Sequence, residues 1–159
     1  MKKNHRIAVL ALAALAVTGI LFFVFSTKRG SVEALYKDDL SGYSVEDIYF
    51  YIPRDDSVDY RLKEGELPTA LDHILSLELQ SVLLQSKYSG ERADWPDRPW
   101  ISLVTYENGV HRSILSLILL DAETVAICKG DAGNGRVYKL TVPFDQAGFQ
   151  QFFEVQPAK

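Results

Sequence analysis

The sequence is poor in the residues from which catalytic and metal sites are usually built. Among 159 residues there is one cysteine, Cys128, and there are three histidines. A lone cysteine excludes an intramolecular disulfide. It closes the apolar run Val125-Ala126-Ile127-Cys128, where a small buried residue is expected. An activated thiol needs a more electropositive setting. Beyond the first thirty residues the histidines are His73 and His111, and no HxH, HxxxH or CxxC spacing is present. A metal centre needs several ligands at fixed geometry, so none is expected, and no cofactor either. GxSxG and SxxK are also absent, which removes two common serine-nucleophile arrangements. Gly130 to Gly135 holds three glycines, but without the GxxxxGK[ST] pattern or a following helix it reads as a hairpin loop.

Acidic residues are missing from the first thirty positions, which carry five basic ones: Lys2, Lys3, Arg6, Lys28 and Arg29. Of the 17 basic and 21 acidic residues of the chain, that leaves twelve basic against all 21 acidic in residues 31–159, a formal charge of −9. A domain of that sign repels nucleic acid and anionic headgroups, and no basic stripe offsets it. Nucleic acid is therefore excluded as an expected partner.

Residues 1–6 form a basic leader, and residues 7–25 contain no charge. As a helix rising about 1.5 Å per residue, that stretch measures close to 30 Å, the thickness of a bilayer core. A transmembrane anchor is expected, with the basic N-terminus cytoplasmic and the acidic domain outside. The alternative is a secretory signal cleaved near Ser26, although Phe22, Phe23 and Phe25 crowd the end of the apolar run. Residues 26–44 read as a stalk and 45–155 as an extracytoplasmic domain.

Within that domain Ile48, Phe50 and Ile52 alternate with Tyr49 and Tyr51, a strand pattern. Thr69 and Asp72 resemble the start of a helix over about 70–87, with Leu71, Ile74, Leu75, Leu79, Val82 and Leu83 as its apolar face. Asn108-Gly109 is the favoured pair for a tight hairpin turn. The run Ile114 to Leu120 should be a central strand. Asp145 suits the cap of a terminal helix carrying Phe149, Phe152 and Phe153. The expected fold is α+β. It has a mostly antiparallel sheet of about five strands in the order β-α-β-β-β-β-α, with one long helix packed on a face and an N-terminal transmembrane helix before it.

Few residues invite a functional reading. Trp95, Arg98 and Trp100 lie in a loop stiffened by Pro96 and Pro99. Tryptophan and arginine are enriched at binding hot spots, and a stiff loop loses little entropy on binding. The plainer alternative has both tryptophans capping the core. Glu78 falls on the apolar face of the expected helix, where a carboxylate must find a partner or change its pKa. Asp55, Asp56 and Asp59 make an oxygen-rich loop without the spacing of a calcium-binding hand.

This layout of anchor, stalk and one cysteine-poor domain resembles single-pass bacterial envelope proteins with a small extracytoplasmic α+β domain. The resemblance is architectural, spans the whole chain and implies no functional residues. The leading expectation is a non-enzymatic binding module that contacts an envelope protein or a cell-wall component, and meets the membrane through residues 7–25. An envelope hydrolase using carboxylates such as Glu78 is the second. A regulatory or immunity-type protein acting through its membrane segment is the third.

Overall fold

In the computed structural model, which describes residues 12–19, 29–53, 58–82, 88–89, 97–130 and 134–157, four consecutive strands organise everything else. They are β6 (Trp100–Glu107), β7 (Val110–Asp121), β8 (Thr124–Lys129) and β9 (Asn134–Leu140). Asn108 and Gly109 join β6 to β7 with φ of 54° and 78°, the positive pair that a type I′ turn requires. The turn's twist matches that of the strands, so the twelve-residue β7 pairs along its length and sits between two neighbours.

Six more strands extend this meander. On one side lie β2 (Asp47–Tyr51), β3 (Val58–Leu62) and β10 (Phe153–Pro157). On the other lie β4 (Glu78–Ser81) and β1 (Arg29–Ser31), with β5 (Tyr88–Ser89) also on β9. The path is β1-β4-β9-β8-β7-β6-β2-β3-β10, with β5 beside it. Every neighbouring pair is antiparallel.

The topology explains where the helices lie. Three connections must carry the chain from one flank of the sheet to the other: β1 to β2, β3 to β4, and β9 to β10. They contain α2 (Val32–Leu35) and α3 (Lys37–Leu40), α4 (Leu67–Leu75), and α5 (Gln146–Gln150). Their apolar side chains meet one face of the sheet in a single cluster, which joins Val32, Tyr36, Ile74 and Phe149 to Ile48, Leu103, Leu117 and Ile127. Each large side chain fully buried there contributes roughly 1.5–3 kcal/mol. Among the described residues the opposite face has a small cluster, Ile118, Ala126, Cys128 and Val137, flanked by Tyr88, Trp100 and Leu120.

Several expectations are corrected. Among the described residues the fold is sheet-dominated, with ten strands and short helices, where an α+β domain of about five strands was expected. The long helix over 70–87 does not form. Residues 67–75 are helical, and the chain then enters β4 between β1 and β9. Leu79 satisfies strand alternation with Leu77 as well as helical spacing with Leu75 and Val82, and pairing on both sides of it decides between them. The capping box is also replaced. The helix begins one turn earlier, with Glu66 at the cap position, Pro68 in the first turn and no side-chain cap bond. Asp145 does cap α5, accepting from the Gly148 N–H at 2.9 Å. Phe153, however, opens β10 and is not helical.

The expected transmembrane helix is corrected in the same way. No helix among the described residues is long and apolar enough to cross a membrane. Of residues 7–25, the described part, 12–19, is a helix (α1) whose side chains are all exposed. The remainder lies outside the described residues. Residues 29–40, assigned from sequence to the stalk, form β1, α2 and α3 and bury Val32 and Tyr36 in the core.

Candidate functional site

The outer face of β2, β6 and β7 is the part of the sheet with exposed aromatic side chains. Alternation aims Tyr49 and Tyr51 outward from β2 while Ile48 and Phe50 point into the core. Register then places Tyr49 opposite Ser102, Tyr51 opposite Trp100, and Tyr106 opposite His111. Cross-strand partners project from the same face. Tyr49 reaches both members of the last pair. Its ring lies 5.7 Å from the His111 ring, and its hydroxyl is 3.4 Å from that of Tyr106. The Tyr106 hydroxyl also lies 3.4 Å from Asp47 Oδ2, to which it donates. The hydroxyl contact with Tyr49, reinforced by partial burial and the Asp47 carboxylate, raises the Tyr106 pKa and keeps it protonated. Tyr49 and Tyr106 remain 37% and 40% exposed.

Beneath this patch lies a triangle of serine hydroxyls. Ser113 Oγ is 2.8 Å from Ser102 Oγ and 2.9 Å from Ser116 Oγ, and Ser102 to Ser116 closes the ring at 3.4 Å. Ser113 and Ser116 are three residues apart, a spacing that puts side chains on opposite faces of a regular strand. Here Leu103 faces Leu115 and Val104 faces Ser113, so Ile114 is the extra residue of a bulge. The bulge resets the alternation and brings both serines to the outer face. Each hydroxyl can donate once and accept once around the ring, which satisfies the buried Ser102 and Ser116.

The bulge also shapes a cleft of about 580 Å³ at the end of the sheet, bounded by α3 and the segment that follows it. Arg112, Ser113 and Ile114 of β7, Lys129 of β8, Asp39 of α3 and Tyr43 are among its lining residues. Lys129 Nζ pairs with Asp39 at 2.7 Å. Arg112 pairs with Glu107 across the hairpin at 3.1 Å.

The residues singled out from sequence are dispersed. Trp95 lies outside the described residues. Arg98 is exposed, and its Nη1 donates to the Leu120 carbonyl at 2.8 Å. Trp100 is half-buried on β6 with its ring stacked on Tyr51, centroids 5.8 Å apart. Leu119 N–H donates to the Pro99 carbonyl at 2.9 Å. Arg98 and Pro99 are thus tied to the end of β7, and Trp100 adjoins the aromatic patch. Glu78 opens β4 with its side chain exposed, away from any apolar helix face. His73 is half-buried against Phe144, Phe149 and Phe152. Asp55, Asp56 and residues 131–133 lie outside the described residues. Among the described residues no group of three His, Cys, Asp or Glu is placed to hold a metal ion. Burial pushes the Cys128 thiol up to about 11, so at neutral pH it is a protonated core residue.

Sequence reasoning missed Tyr49, Tyr106 and His111 as a group. The period-two pattern of residues 48–52 already marked Tyr49 as outward. Only the register, however, brings Tyr106 and His111 beside it.

Comparison with family models, with curated proteins and with solved structures finds no significant match.

Proposed function

We propose that the chain is a non-enzymatic interaction module that works on the far side of a membrane and binds a protein partner on the outer-face patch of Tyr49, Tyr106 and His111. What supports that location is the sequence alone, a basic leader followed by the charge-free residues 7–25, as in an export signal. The observation that carries the reading is three exposed aromatic side chains, drawn from three adjacent strands and held by mutual contacts. Tyrosine gives a large, rigid, amphipathic surface at low entropic cost, and aromatic groups are enriched at interface cores. Asp47 and Glu46 lie at the edge of the patch, and residues 31–159 carry a net charge of −9. A partner surface presenting Arg or Lys complements both the carboxylates and the ring faces.

In-cell photo-crosslinking of the full chain tests this, with a benzophenone amino acid at Tyr49. A control probe replaces Val142, which is 72% exposed elsewhere on the surface. The expected result is a discrete protein adduct from position 49 that is absent from position 142 and lost with Tyr106→Ala. Identical adducts from both positions, or no adduct at 49, would refute the reading.

A further inference from the structure

We infer that the cleft beside the Ile114 bulge is a second binding site, built for a small ligand with one free carboxylate such as the C-terminus of a short peptide. Its volume of about 580 Å³ lies within the range of small-molecule pockets. The lining is chemically unusual for this protein. In a domain where acidic residues far outnumber basic ones, Arg112 and Lys129 reach one cleft from neighbouring strands, against the single carboxylate of Asp39. Once Arg112 is released from Glu107, the lining holds an excess of one positive charge, which suits a monoanion. It suits a phosphate dianion less, because Asp39 would repel it.

Arg112 supplies the recognition geometry, since a guanidinium offers a planar fork that matches a carboxylate with two parallel hydrogen bonds. Its present partner, Glu107, is not among the lining residues, and both side chains are well exposed, at 64% and 42%. Exposed pairs of this kind contribute little, so exchanging Glu107 for a ligand carboxylate loses little. Ile114 and the ring of Tyr43 provide apolar contact for the body of the ligand, and the Asp39 carboxylate provides a polar partner for a peptide N–H. None of these residues belongs to the Tyr49–Tyr106–His111 patch, so either site can fail while the other stands.

Calorimetric titration of the full chain with N-acetyl-alanyl-alanine, its C-terminal amide and inorganic phosphate is the test. The acid should bind saturably and more weakly as salt is raised. The amide and phosphate should each bind at least about tenfold more weakly. Arg112→Gln should weaken the acid by about tenfold or more, the scale of a charge-assisted hydrogen-bond pair. Arg112→Lys should recover only part, because it restores charge without the fork. Thermal unfolding of each variant should match the parent, because Arg112 is exposed. No saturable binding of the acid, equal binding of acid and amide, or full affinity in a normally folded Arg112→Gln would each overturn the site.

Discussion

Gly135 is where the sheet has no room for a side chain, and Gly135→Ala measures that directly. The residue sits on β9 opposite Cys128 of β8. A methyl group placed there would lie 2.5 Å from the Ile127 carbonyl oxygen, 2.6 Å from Cys128 Sγ and 2.9 Å from the Ile127 carbonyl carbon. Two of these are backbone atoms of a strand held on both sides, by β7 and β9, so neither can rotate away. Overpacking of this sort costs typically about 1–3 kcal/mol, and contact with backbone places it at the upper end. Alanine also restricts the unfolded chain, which returns about 0.4–1 kcal/mol. The net expectation is a destabilisation of about 2 kcal/mol, large against a total stability of roughly 5–15 kcal/mol. Urea unfolding should show it as a lower midpoint at unchanged slope. Repeating the substitution in Cys128→Ala separates the two clashes. Removing the sulfur relieves one contact and leaves the carbonyl, so most of the penalty should persist. A Gly135→Ala protein as stable as its parent would refute the β8–β9 approach described above.

Two further perturbations read the core. The Cys128 thiol is pushed up from 9.0 to about 11 by burial. Below pH 9 folded and unfolded chains both hold the proton and nothing is lost. Above it the unfolded chain releases the proton first, so stability falls by up to about 1.4 kcal/mol per pH unit until the folded thiol also titrates. Urea midpoints between pH 7 and 10 should therefore fall more steeply in the parent than in Cys128→Ala, and parallel curves would contradict a buried thiol. Phe149 is fully buried and its ring meets Phe50, Phe144, Phe152 and Phe153. Phe149→Ala should cost roughly 3–5 kcal/mol, with hydrogen exchange in α5 and β10 accelerated most. A loss below about 1.5 kcal/mol would show that α5 is not anchored through this ring.

The legible part of the fold is the part whose signals are local. Alternation at Ile48 and Phe50, the Asn108-Gly109 turn, the apolar run of β7 and the Asp145 cap each depend on neighbours within a few residues. The structure uses all four. What escaped notice depends on partners far along the chain. β1, β4 and β5 have three, four and two residues, too short to show a period of their own. They exist because β9 and its neighbours offer unpaired backbone. Residues 71–82 show the competition most clearly. Leu79 fits a helix face with Leu75 and a strand with Leu77, and propensity is a weak guide once a sheet can hydrogen-bond both edges of the segment.

The candidate sites are harder still to read, because they depend on pairing between strands and, near the cleft, on an irregularity in that pairing. A search for close hydroxyls on a strand examines i and i+2, and Ser113 and Ser116 are separated by three. Ile114 carries no proline, glycine or charge that would mark it as a bulge. The register shift between the Leu103 and Val104 pairings is what puts the serines on one face. Ile114, the extra residue of that bulge, lines the cleft beside Arg112. By contrast, the Trp95–Trp100 segment stands out by composition alone, and Trp100, which opens β6, stacks on Tyr51. That stack lies two residues along β2 from Tyr49. The partners that give Tyr49 its surroundings, Tyr106 and His111, are set by the pairing of β2, β6 and β7. A binding surface assembled across strands is a property of register, and register becomes readable only when each strand's partner is known.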